Sequence, residues 1–128
     1  MSIRLNHTIV SARDKKASSV FLTEILGLPA AKPFGPFLAV KLDNDVTLDF
    51  IEWDGDIETA HFAFLVSEAE FDQIFARIKA RGLSYWADPF HKRAGEINRH
   101  DGGRGGYFED PSGHNLEILT RPYGSGAG

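Results

Sequence analysis

Two stretches of this 128-residue chain repeat one order of parts. The first, "LNHTIVSARDKKASSVFLTEILGL" (5–28), runs from an alternating, strand-like start through a cap region and an amphipathic segment to a Gly-Leu stop. The second, "AHFAFLVSEAEFDQIFARIKARGL" (60–83), does the same. His7 precedes Phe21 by 14 positions, as His61 precedes Phe75, and His7 stands 20 before Gly27 where His61 stands 21 before Gly82. Landmarks matched in this way point to an internal duplication with a period near 54 residues, so the chain is built twice from one supersecondary unit.

Each copy predicts strand–helix–strands. In "IRLNHTIV" the alternation puts Ile3, Leu5, His7 and Ile9 on one face of a strand. A helix follows from about Asp14, with Ala17, Val20, Phe21 and Ile25 as its apolar stripe, and stops at Gly27. In the second copy Ser67 and Glu70 form a capping box; Phe71, Ile74, Phe75 and Ile78 make the stripe, and Gly82 ends it. Asp43-Asn44-Asp45 predicts a hairpin turn between "PFLAVKL" and "VTLDFIEW". A short strand near "LSYW", a polar loop, "GYFED", a Pro111-Ser112-Gly113 turn and "NLEILT" complete the second copy. The expectation is an α+β chain of two βαβββ modules, about 1–56 and 57–123, with a flexible small-residue tail at 124–128.

Composition narrows the partners. A formal charge of -4 with 14 basic against 18 acidic side chains leaves no basic footprint for nucleic acid. No apolar run approaches the roughly 18 residues of a membrane span, and the start of the chain lacks the layout of a secretory signal. With no cysteine there is neither a disulfide nor a thiolate metal site, and a cytoplasmic protein is expected.

His7 and His61 occupy the same register in the two copies, and the last strand of the second copy carries Glu117 between Leu116 and Ile118. Taken singly, a histidine on an apolar strand face reads as a hydrogen-bonded core residue, and a lone strand glutamate as a solvent-facing one. Taken together, two imidazoles and a carboxylate from three strands make a facial triad that leaves positions open on Fe(II), Mn(II), Ni(II) or Zn(II). The alternatives stand side by side at this point.

"LNHTIV", "HFAFLV" and "YFEDPSGHNLEI" resemble the three signature stretches of the vicinal oxygen chelate superfamily, the glyoxalase I, bleomycin-resistance and extradiol-dioxygenase group. The resemblance spans about residues 3–121 and implies paired modules forming a half-open barrel around a divalent metal held by His7, His61 and Glu117. It also implies a small substrate bound through adjacent oxygens, and a homodimer. Tyr107, ten positions before Glu117, matches the tyrosine of the extradiol subgroup, which favours Fe2+ and oxidative chemistry, with His100 as an acid–base group and His91 as a further candidate. The glyoxalase subgroup instead carries a fourth acidic ligand on the strand "VTLDFIEW", where Asp49 and Glu52 stand. Asp49, Trp53 and Phe62 are expected to line the substrate cup. Arg104 in "GGRGG" would hold an anionic group from a flexible lip, and His114 is expected to be exposed. A glyoxalase-like lyase or isomerase and a metal-free drug-binding protein are the alternative functions.

Overall fold

Asp14 accepts the free N–H groups of Lys16 and Ala17 on its carboxylate, both at 3.1 Å. It thereby starts helix α1 (Lys15–Leu26) of the computed structural model, which describes residues 3–126. The helix ends at Gly27, which takes a left-handed φ of 74° that a side chain would strain, while Leu28 donates its N–H back to Thr23. Strand β1 (His7–Ala12) precedes it; β2 (Lys32–Phe34), β3 (Phe37–Lys41) and β4 (Thr47–Glu52) follow. The chain divides into two compact units, Met1–Glu58 and Thr59–Gly128, and these elements form the first.

The first sheet has the order β1-β4-β3-β2, with β1 parallel to β4 and the other pairs antiparallel. Strand β2 was not foreseen, because three residues that include Pro33 show no alternation to read. The expected hairpin turn is present, with Leu42 and Val46 closing it and Asp45 at a φ of 67°. Helix α1 packs on β1, β3 and β4 and buries Leu22 and Ile25 with Val10, Val40, Leu48 and Phe50. Burying each of the larger of these apolar side chains contributes about 1.5–3 kcal/mol. His7, Ile9, Thr47, Asp49 and Ile51 take the opposite face, by alternation and by the register His7↔Thr47 and Ile9↔Asp49.

In the second unit the parts recur as β5 (His61–Leu65), α2 (Glu68–Ala80), β6 (Gly105–Glu109) and β7 (Asn115–Leu119), in the sheet order β5-β7-β6. The capping box forms as expected: Ser67 Oγ accepts from the Glu70 N–H, and the Glu70 carboxylate accepts from the Ser67 N–H. Gly82 and Leu83 donate to Lys79 and Ile78, closing the helix end. Phe71, Ile74 and Ile78 are buried, as are Phe108, Leu116 and Ile118 of the sheet.

The strand expected near "LSYW" contracts to an isolated bridge. Trp86 exchanges both backbone hydrogen bonds with Tyr107, at 2.9 and 2.8 Å, and takes the place beside β6 that β2 takes beside β3. Its other side is engaged at once by Ala94, as the chain turns back, so no longer ladder can grow. Both sheets are open, and the fold is α+β as expected.

Part of "GGRGG" is not a lip but strand: Gly105 and Gly106 are buried in β6. A Cβ at Gly105 would come within 2.8 Å of the Asn98 side chain, so glycine there permits the loop to close on the strand. In the tail, Gly124 and Gly126 donate their N–H groups to the Asp101 carboxylate at 3.2 Å, and 127–128 lie outside the described residues.

Candidate functional site

The antiparallel pairing of β6 with β7 sets Tyr107 directly opposite Glu117, and the parallel pairing of β5 with β7 sets His61 opposite Asn115. Partners in register share a face, so His61, Asn115, Glu117, Tyr107 and Trp86 lie on one face of the second sheet, in two adjacent rows: His61 with Asn115, and Glu117 with Tyr107 and Trp86. The Pro111-Ser112-Gly113 turn is what brings the two ends of "YFEDPSGHNLEI" together. Asp110 organises it: its Oδ1 accepts the N–H groups of Ser112 and His114, at 2.9 and 2.8 Å. Burial pushes the Asp110 carboxyl above the usual range, against the pull of those hydrogen bonds.

On this face His61 Nε2 lies 3.0 Å from Glu117 Oε1 of the next row. Glu117 is only 6% exposed, so its side chain does not face solvent freely. Tyr107 is 4% exposed, its ring centroid is 5.7 Å from that of His61, and its hydroxyl hydrogen-bonds Glu117. Burial, then the negative charge and hydrogen bond of Glu117, push its phenol far above the ordinary value, so the hydroxyl is protonated and donates to the carboxylate.

The pair fits a metal ion. Two donors each about 2.1 Å from one ion and at right angles to each other stand about 3.0 Å apart, which is the separation observed between these two atoms. Both are hard or borderline donors suited to a divalent first-row ion. Among the described residues, no group of three or more His, Cys, Asp or Glu side chains is gathered for an ion.

Beside Tyr107 and Glu117 opens a small cleft whose walls include Asn98, His100, Arg104 and Tyr123. His100 is exposed at this mouth, in a short 3₁₀ turn (His100–Gly102). Arg104 borders the cleft, but its guanidinium is engaged elsewhere. It donates to Glu68 and pairs with Asp72, each at 2.8 Å, over the Phe71 ring, which ties β6 to α2. Hydrogen bonds to Asp72 and Glu68 hold the guanidinium's pKa above its usual value, and hydrogen bonds with Thr120 and Arg104 hold the Glu68 carboxyl below its usual range.

The remaining expected residues fall in other places. Phe62 alternates with His61 and so takes the opposite face of β5, edge-on to the His114 ring, away from the site. His7, Asp49 and Trp53 belong to the first unit. His7 opens β1, exposed, with its Nδ1 2.7 Å from Asn6 Oδ1. Asp49 is buried on the same sheet face as His7, while Trp53 is half exposed and Glu52 exposed. His114 overturns the expectation of exposure: it is 2% exposed, and its Nδ1 accepts the Ala60 N–H at 2.9 Å. The signal was Asp110 four positions earlier, whose turn folds the residue inward. Trp86 and Asn115 were missed as site residues, since only strand register reveals that they share this face.

A family model described as the Glyoxalase/Bleomycin resistance protein/Dioxygenase superfamily matches residues 4–118. Among solved structures, oxidase ChaP-H2 is 62% identical with a TM-score of 0.97, covering 99% of this chain and 100% of its own. Oxidase ChaP-H1 is also 62% identical, with a TM-score of 0.94 over 96% of this chain and 99% of its own. Glutathione transferase FosA from Serratia marcescens is 29% identical over 121 residues, 89% of this chain and 78% of the relative. FosX from Mesorhizobium loti, at 21% identity and a TM-score of 0.71, shares the fold.

Proposed function

The chain belongs to the glyoxalase/bleomycin resistance protein/dioxygenase superfamily, and from that premise we propose that it is a divalent-metal-dependent enzyme of oxidative chemistry acting on a small substrate with two neighbouring oxygens. The observation that carries the oxidative reading is the 62% identity to two oxidases over almost the full length of each chain. Geometry supports the metal-dependent part: an imidazole and a buried carboxylate at ligand spacing, with a phenol hydrogen-bonded to the carboxylate.

In this reading His61 and Glu117 hold the ion and His7, at the matching register of β1, supplies the third ligand; Fe2+ is the preferred ion. When bound, the ion acts as a Lewis acid that withdraws charge from the chelated oxygens. Tyr107 orients the Glu117 carboxylate through its hydroxyl and keeps water from that side. His100, at the cleft mouth, is placed to accept a substrate proton. Asp49 and Trp53 are substrate contacts in this reading, and Arg104 fixes the cleft wall while ion-paired to α2. The working form is a homodimer, and the protein acts in the cytoplasm on a soluble small molecule.

The test is metal content after anaerobic purification, wild type against Glu117→Ala, with oxygen uptake measured on a panel of catechols. One equivalent of ion in the wild type, at least about tenfold weaker retention in the variant, and oxygen uptake by the wild type alone are expected. Turnover of a hemithioacetal without oxygen uptake would instead establish the lyase alternative. Equal metal in both proteins would remove Glu117 from the site, and ligand binding unaffected by His7→Ala in metal-free protein would establish sequestration.

A further inference from the structure

Between Trp86 and Asn98 the chain makes an excursion that the proposed chemistry leaves unused. Its two ends are fastened to β6: Trp86 pairs with Tyr107, and Asn98 pairs with Gly105 while its Nδ2 donates to the Ala87 carbonyl at 2.9 Å. The Asp88 carboxylate accepts the N–H groups of Lys92 and Arg93 and gives the loop its shape. At its centre stands His91, whose backbone takes a φ of 59°. That left-handed conformation costs an L-residue free energy and suits glycine. The ring it places does two things. It stacks on the Trp86 indole at 3.7 Å between centroids and 5° between planes, and its Nε2 lies 3.0 Å from Asn115 Oδ1.

Asn115 holds the loop with both ends of its amide, since its Nδ2 also donates to the Pro89 carbonyl at 3.2 Å. Trp86 and Asn115 lie on the same face as Tyr107 and Glu117, on either side of Tyr107's strand, Trp86 opposite Tyr107 and Asn115 one row along, opposite Glu109. A ring stacked on the one and bonded to the other therefore spans β6 on the face that carries Tyr107. The near-complete burial of Tyr107 agrees with such a cover, as does the charge of Asp88 being felt at its phenol.

We propose that His91 is a positioning residue of the site: its ring, clasped between Trp86 and Asn115, pins loop 87–95 as the wall that keeps water from Tyr107 and Glu117. The strained backbone is the means, because a relaxed conformation at this position would not aim the ring at both partners. A role in catalysis rests on the function proposed above; the clasp itself does not.

The experiment uses His91→Gly, which relieves the backbone and removes the ring, and His91→Asn as a second variant that also tolerates the left-handed conformation. In a Trp53→Phe chain Trp86 is the sole tryptophan, and acrylamide quenching of its fluorescence reports the wall without metal or substrate. Quenching is expected to rise severalfold in both variants at unchanged far-UV dichroism. Free imidazole, added to His91→Gly, is expected to reverse the rise saturably by refilling the place between Trp86 and Asn115, and to leave the parent unaffected. In the otherwise wild-type chain loaded with Fe(II), His91→Gly should lower kcat/KM for oxygen uptake with catechol about tenfold or more, because a small misplacement of positioning groups has effects of that size, with metal content unchanged. Quenching equal to the parent's, or a rise that imidazole does not reverse, overturns the clasp whatever the protein's chemistry. A severalfold rise with kcat/KM unchanged overturns the positioning role and leaves the oxidative function standing.

Discussion

Asp110 shows how one side chain makes the site available. Its carboxylate caps the turn after β6, and that turn sets Tyr107 across from Glu117 and buries His114 beneath β5. Burial raises its pKa, so the folded protein holds this proton more tightly than the unfolded chain. The proton-linked advantage of the folded state is therefore present below the unfolded value and is lost as pH rises through the folded one. Asp110→Asn keeps the acceptor without the charge, and is expected to be at least as stable as wild type near neutral pH. Urea unfolding between about pH 4 and pH 7 should show a stability change in the wild type that the variant lacks. Asp110→Ala, which strands the Ser112 and His114 N–H groups, is expected to lose about 1–3 kcal/mol. Equal pH profiles for wild type and Asp110→Asn would show that the buried carboxyl does not titrate differently on folding.

Helix α2 is fastened at its first turn twice over. Ser67 and Glu70 satisfy each other's backbone N–H groups, and Glu68 and Asp72 receive Arg104 from the β6 side, over the Phe71 ring. Ser67→Ala removes one capping acceptor and is expected to cost about 1 kcal/mol of stability, read by thermal or urea unfolding, with the face that carries the site intact. Those ion pairs are largely exposed on the acidic side, so their contribution is screened by salt. The helices were legible because caps and stripes are local: Asp14, Gly27 and the Ser67–Glu70 box each act within one turn. The short strands were not. Lys32–Phe34 and the Trp86 bridge owe their existence to neighbours already in the sheet, and three residues carry too little alternation to announce it.

For the molecule in solution, binding of an ion to the folded state alone would couple stability to metal. Saturation at about a hundred times the dissociation constant adds about 2.7 kcal/mol, so chelation should lower the melting temperature of the metal-loaded protein. Glu117→Ala should melt at the same temperature with and without chelator; a chelator shift that survives in the variant would place the ion elsewhere. The duplicated histidines, the helix caps and the turn at Pro111-Ser112-Gly113 were all written in the linear order of residues, because periodicity and turn chemistry act over a few positions. They were enough for the α+β class, while the superfamily, and with it Tyr107 as a candidate, came from the resemblance of three whole stretches. Which residues stand beside these was decided across strands. Register put Glu117 against Tyr107 and Trp86, sent Phe62 to the other face, gave Arg104 to α2, and brought His91 onto Asn115. Positions far apart in the chain become neighbours only when hydrogen-bonded ladders fix which residue faces which, and no local pattern encodes that pairing.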